Sequence, residues 1–167
     1  TEGSGLAQKY LIKQYEGFGI DPIDESGYLQ KFDFVSNVVV GNNNSFSINN
    51  KPYVLSGDFI PLGFSENSEL TAEAVFVGYG FFIDDSIKWN DYNNINVNGK
   101  WAVILNGGPE GDNPRSTYKS HLPLRKKVLL AKDNDAAGVI FISPEDDDLI
   151  ELKYDNSFTS AGIHVIN

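Results

Sequence analysis

Between Lys100 and Ser143 the chain runs through an apolar stretch, Lys100 to Leu105, then a polar loop, then a segment of helical period from Pro123 to Ala137, then a second apolar stretch, Val139 to Ser143. Two apolar runs joined by one helix make a βαβ unit, in which the strands lie parallel and the crossover is right-handed. Pro123 in the first turn and Gly138 just past the expected end frame the helix, and Leu124, Val128, Ala131 and Asp135 share one stripe of it. Ile163 to Ile166 is expected to add a last strand. The parallel centre so defined constrains everything else in the chain.

Around it the pattern is one of short strands with turn punctuation. Tyr28, Gln30, Phe32 and Phe34 alternate with Leu29, Lys31 and Asp33, and the β-branched run Val38-Val39-Val40 follows. Ser45 to Ile48 and Tyr53 to Leu55 flank Asn49-Asn50-Lys51-Pro52, a hairpin signal because Asn tolerates the positive φ of tight turns. Leu70 to Val77 places Leu70, Ala72, Ala74 and Phe76 on one face of a strand that Gly78-Tyr79-Gly80 ends. At the N-terminus Leu6, Tyr10, Leu11, Tyr15 and Phe18 have helical spacing, with Ser4 as N-cap, Gly17 and Gly19 as the stop and Asp21-Pro22 beyond. The sum is a mixed α/β (α+β) fold: a β-sandwich or open β-barrel of short strands with one βαβ crossover, plus an N-terminal helix.

The chain has 167 residues, enough for one domain with a short appendage. Apolar residues at 41% and charged residues at 22% are ordinary globular usage, so wholesale disorder is not expected. A net charge of −10 repels a nucleic-acid backbone, and the densest basic run, Arg125-Lys126-Lys127, is too short to offset it. The apolar runs fall far short of the ~20 residues of a membrane helix, so no membrane span is expected. With no initiator Met and no charged-then-apolar leader, the chain is expected to be a mature or excised segment.

Zero Cys removes disulfides, thiolate zinc sites and Cys nucleophiles together. His121 and His164 stand in no metal-ligand spacing; they are expected to be a solvated loop residue and a strand residue, solvent-facing or half-buried. No Gly-x-Ser-x-Gly elbow is present, and Gly78-Tyr79-Gly80 opens into Phe81-Phe82 instead of a helix that could cradle a phosphate. The Glu145-Asp146-Asp147-Asp148 run lacks the alternation and mid-loop Gly of a calcium loop, and Asp84-Asp85 with Asp91 receives no role. The chain is therefore expected to supply no catalytic residue, no metal ligand and no cofactor site of its own. Tyr79, Trp89 and Tyr92 are the aromatic candidates for contact with a substrate or partner. One reading of them is a stand-alone carbohydrate- or peptide-binding module.

Taken in order, Ala72-Glu73-Ala74-Val75-Phe76-Val77-Gly78-Tyr79-Gly80, Asp91-Tyr92, Val97-Asn98-Gly99-Lys100-Trp101-Ala102-Val103, Lys127-Val128 through Ala131, and Ala136-Ala137-Gly138-Val139-Ile140 resemble the protease-associated domain of two-zinc aminopeptidases and their glutamate-carboxypeptidase-like relatives. Residues 3–22, with Ala7, Tyr10, Gly19 and Pro22, resemble the helix that begins the mature peptidase. The resemblance implies residues 1–22 as that helix and 23–167 as the protease-associated domain. It implies a non-catalytic lid, substrate-access or protein-interaction module of a secreted, extracellular or periplasmic, zinc metallopeptidase. The two zinc ions and the hydrolase activity then belong to a separate catalytic peptidase domain of the same parent, which becomes the partner alongside a peptide or protein substrate. In glutamate-carboxypeptidase-like members a basic residue at the helix start approaches the substrate carboxylate. Arg125 is the nearest candidate here, although the aligned position is Leu124.

Overall fold

A computed structural model of the chain describes residues 2–33, 39–111, 113–143 and 162–167. Phe34 and Val38 of the expected strands, and the Glu145-Asp146-Asp147-Asp148 run, lie outside the described residues. The chain divides into two compact units, Thr1–Phe34 and Val35–Asn167.

In the first unit α1 spans Glu2–Gly17. Ser4 therefore sits inside the first turn and does not cap it. The helix ends as its glycines foretell: Gly19 takes φ 68°, and the Ile20 amide donates back to the Tyr15 carbonyl at 3.0 Å. Residues 28–33 form no strand, despite their alternation. Tyr28 is instead tied locally, its hydroxyl donating to the Ile20 carbonyl at 2.6 Å and its ring 5.9 Å from that of Tyr15.

The second unit opens with a hairpin, β1 (Phe46–Ile48) against β2 (Lys51–Tyr53). Asn49 and Asn50 turn it at φ 50° and 64°, the pair of left-handed residues that matches strand twist. Next come β3 (Ala74–Gly78), the hairpin β4 (Phe82–Asp84) and β5 (Lys88–Asn90), and β6 (Trp101–Leu105). Helix α2 (Leu124–Asp133) carries the chain to β7 (Gly138–Ile142), and β8 (His164–Ile166) follows. The largest sheet is all parallel in the order β3-β6-β7-β8, so the expected βαβ crossover forms between β6 and β7. Mixed α/β class, short strands and the N-terminal helix are all present.

The core lies where α2 covers this sheet: Ala102, Ile104, Val139 and Val165 from the strands and Val128 and Ala131 from the helix are wholly buried. Helix α2 stops earlier than its period suggests. Asp135 takes φ 65°, its carbonyl accepts the Gly99 amide at 2.9 Å, and the Ala137 amide donates to the Lys100 carbonyl at 2.9 Å. The Asp135 and Ala136 amides still close onto the helix carbonyls of Lys132 and Ala131, at 2.8 and 3.0 Å, whereas the Asp135 carbonyl and the Ala137 amide are committed to the turn before β6 and carry no helix further. Gly138 accordingly starts β7 and does not end the helix. A side chain there would meet the Trp101 ring, whose Cε3 lies 2.4 Å from the position of an added Cβ.

Candidate functional site

Beyond β3 the chain bends through Gly78 and Gly80, at φ 90° and 68°. A Cβ at Gly78 would stand 3.1 Å from Asp91 Oδ1, and one at Gly80 would stand 2.9 Å from Ile104 Cδ1, so the bend needs both the torsion and the space that glycine supplies. The Asp91 carboxylate that comes so close accepts the Phe81 amide at 2.9 Å and the Trp89 indole N–H at 2.7 Å. It locks the β4-β5 hairpin against the end of β3.

Phe81 is the hub that results. It is buried, and its ring lies 5.7 Å from Tyr79, 6.0 Å from Trp89, 5.8 Å from Tyr118 and 6.0 Å from His121. Trp89 meets Tyr79, Phe81 and Tyr118 in edge-on or T-shaped arrangements, the geometry favoured by ring quadrupoles. Against this cluster sits Lys127 of α2, only 1% exposed. Its Nζ donates to the Leu105 carbonyl at 2.9 Å and the Gly107 carbonyl at 2.7 Å, and lies 4.9 Å from the Phe81 ring centre. Burial pushes the ammonium down to about 8, with the Asp91 charge acting in the opposite sense, so the group remains mainly cationic at neutral pH.

The aromatic candidates separate. Tyr79 and Trp89 come together, their ring centres 6.3 Å apart, and both are half-buried. Tyr92 is in the core at 8% exposure and offers no stacking face to a ligand. Its hydroxyl is buried without a hydrogen-bond partner among the described residues, and burial, with Asp91 adding, raises its pKa. A buried hydroxyl left unpaired is a cost. Tyr92→Phe is therefore expected to hold or raise stability, by up to about 1 kcal/mol in urea unfolding; a loss of that size would mean the hydroxyl has a partner.

Arg125 stands apart from these rings, its guanidinium 5.6 Å from the Phe64 ring centre. It lines a cleft of about 380 Å³ whose other walls include Phe81, Phe82, His121, Lys126 and Leu129. His121 is half-buried beside Phe81, so it is not the solvated loop residue its sequence suggests. Burial and then the Lys126 charge hold its pKa below the ordinary value, with Asp85 opposing. His164 lies elsewhere, on β8, with Nε2 3.1 Å from Ser68 Oγ and its ring 5.9 Å from Trp101.

Phe81, Tyr118, Asp91 and Lys127 are the members to which the sequence reading gave no site role. For Lys127 a signal existed: it falls three residues after Leu124 and four before Ala131, on the stripe that α2 buries. Among the described residues, no group of three or more His, Cys, Asp or Glu could hold a metal ion, and no helix is long and apolar enough to cross a membrane.

No family model matches the chain, and no curated protein does. Among solved structures, the aminopeptidase from Aneurinibacillus sp. strain AM-1 is similar to it, with a TM-score of 0.46 and 24% identity over 66% of this chain. The match spans 21% of that aminopeptidase's own length.

Proposed function

We propose that this chain is a non-catalytic protease-associated domain of a secreted zinc aminopeptidase-like enzyme, acting as a lid, a substrate-access wall or an interaction surface beside a catalytic domain that holds the two zinc ions. One observation carries the reading: the residues that bear the resemblance are occupied in building the scaffold. Gly78, Gly80 and Gly138 give way to Asp91, Ile104 and Trp101 respectively. The four charged groups among them are engaged as well, Asp91 with an amide and an indole, Lys127 with two carbonyls, and Lys100 with Glu73 at 3.2 Å. Peptide hydrolysis calls for an activated water or nucleophile and a positioned base, and in this reading both come from the neighbouring domain.

The experiment is direct. The purified chain, with and without added zinc, is incubated with aminoacyl p-nitroanilides and unblocked peptides. No release above the buffer rate is expected; zinc-dependent release that survives further purification would overturn the proposal.

A further inference from the structure

The cleft beside α2 has an order of charge that selects an occupant. Lys126, Leu129, Leu130 and Asp133 all line it, and their spacing along the helix sets a cation, an apolar middle and a carboxylate in sequence on one side of α2. Seven residues at 1.5 Å each separate the two charged positions by roughly 10 Å. His121 joins Lys126 at the cationic end, its Nδ1 3.4 Å from Lys126 Nζ. Lys126 also donates to the Ser120 carbonyl at 3.1 Å, which leaves one of the three ammonium protons for a ligand. Phe82 lines the same cleft, and it and Leu129 are 52% and 41% exposed.

We infer that this cleft binds a short free peptide of about three residues, its C-terminal carboxylate at Lys126 and His121, its central apolar side chain against Phe82 and Leu129, and its N-terminal ammonium at Asp133. An extended peptide advances roughly 3.5 Å per residue, so three residues carry their terminal charges about 10 Å apart, which is the spacing the helix offers. The helix dipole favours the same direction, since an anion is stabilised at the N-terminal end and a cation at the C-terminal end. A cleft of about 380 Å³ is on the scale of such a ligand. The inference draws on the peptidase-associated reading only for the presence of free peptides near the domain.

The test titrates the ¹⁵N-labelled chain with Ala-Phe-Ala and with its N-acetyl, C-amide and doubly blocked forms. Saturable shifts are expected at the amides of Lys126, Leu129, Leu130 and Asp133. Each single block should weaken binding about threefold and the double block about tenfold, the scale of exposed ion pairs. Lys126→Gln should narrow the difference between the free and amidated peptides, His121 and Arg125 still lining the cleft, and Asp133→Asn should make the free and acetylated peptides equal; both substituted positions are exposed, so neither change threatens the fold. Equal binding of the doubly blocked peptide, shifts centred elsewhere, or no shift up to ~10 mM would overturn the inference. None of these outcomes bears on zinc-dependent hydrolysis, so the two readings fail separately.

Discussion

Replacing Gly138 with alanine lowers stability by about 3 kcal/mol, at the upper end for forcing extra volume into a packed site. The cause is purely steric, because Gly138 has no left-handed torsion to protect. In register, Gly138 lies between Trp101 on β6 and His164 on β8, and the two rings meet across it with centres 5.9 Å apart. An added Cβ would approach three atoms of the indole at 2.4, 2.5 and 2.8 Å. Alanine is otherwise the better strand residue, so any loss measures the clash alone. Urea unfolding of Gly138→Ala, Trp101→Leu and the double variant tests this. The double variant should recover at least half of the alanine penalty, whereas additive losses would place the strain somewhere other than the ring.

Lys127→Ala should cost a similar amount, about 3 kcal/mol, from a cavity in the aromatic cluster and two carbonyls left without a donor. A third effect opposes these. The lowered pKa means the buried ammonium is itself unfavourable, and from 10.5 to about 8 the difference is worth at most about 3 kcal/mol. Lys127→Met keeps the volume and removes the charge, so its loss should be smaller, about 1 kcal/mol. The pH dependence follows in sign. Between pH 8 and 10.5 the unfolded chain still holds the Lys127 proton and the folded chain has released it, so stability rises with pH through that window. The native chain should gain about 2 kcal/mol from pH 8 to 10 relative to Lys127→Met. An equal slope in both proteins would contradict a desolvated lysine.

The parts of this fold legible in the sequence are those set by local chemistry. Asn49 and Asn50 announce their hairpin because few other residues accept two positive φ values in a row. The parallel unit from β6 through α2 to β7 shows in its apolar runs and their separation. What sequence reading missed depends on distant partners. The 28–33 alternation looks like a strand, but strand formation needs an edge to pair with, and Tyr28 finds Tyr15 and Ile20 instead. Gly138 reads as a helix stop because nothing local reveals the indole lying over it. Tyr92 sits in polar sequence and yet is buried, since its neighbours in sequence are the turn residues around the Asp91 lock. Of the site, Tyr79 and Trp89 were visible as crowded aromatics. Their organiser, Lys127, was hidden in a basic triplet of which it alone is buried.

Acylation of the native chain separates a structural Lys127 from a reactive one most directly. A lysine with a lowered pKa within reach of a substrate would be an unusually good nucleophile. One sealed behind Phe81 and bonded to two carbonyls would be the least reactive amine in the chain. With sulfosuccinimidyl acetate at mildly alkaline pH, followed by peptide mass spectrometry, Lys9, Lys13, Lys88 and Lys119, all exposed, should be acetylated while Lys127 stays unmodified until the chain is unfolded. Early, selective acetylation of Lys127 in the folded protein would contradict the view that the resembling residues form a framework and leave the chemistry to another domain.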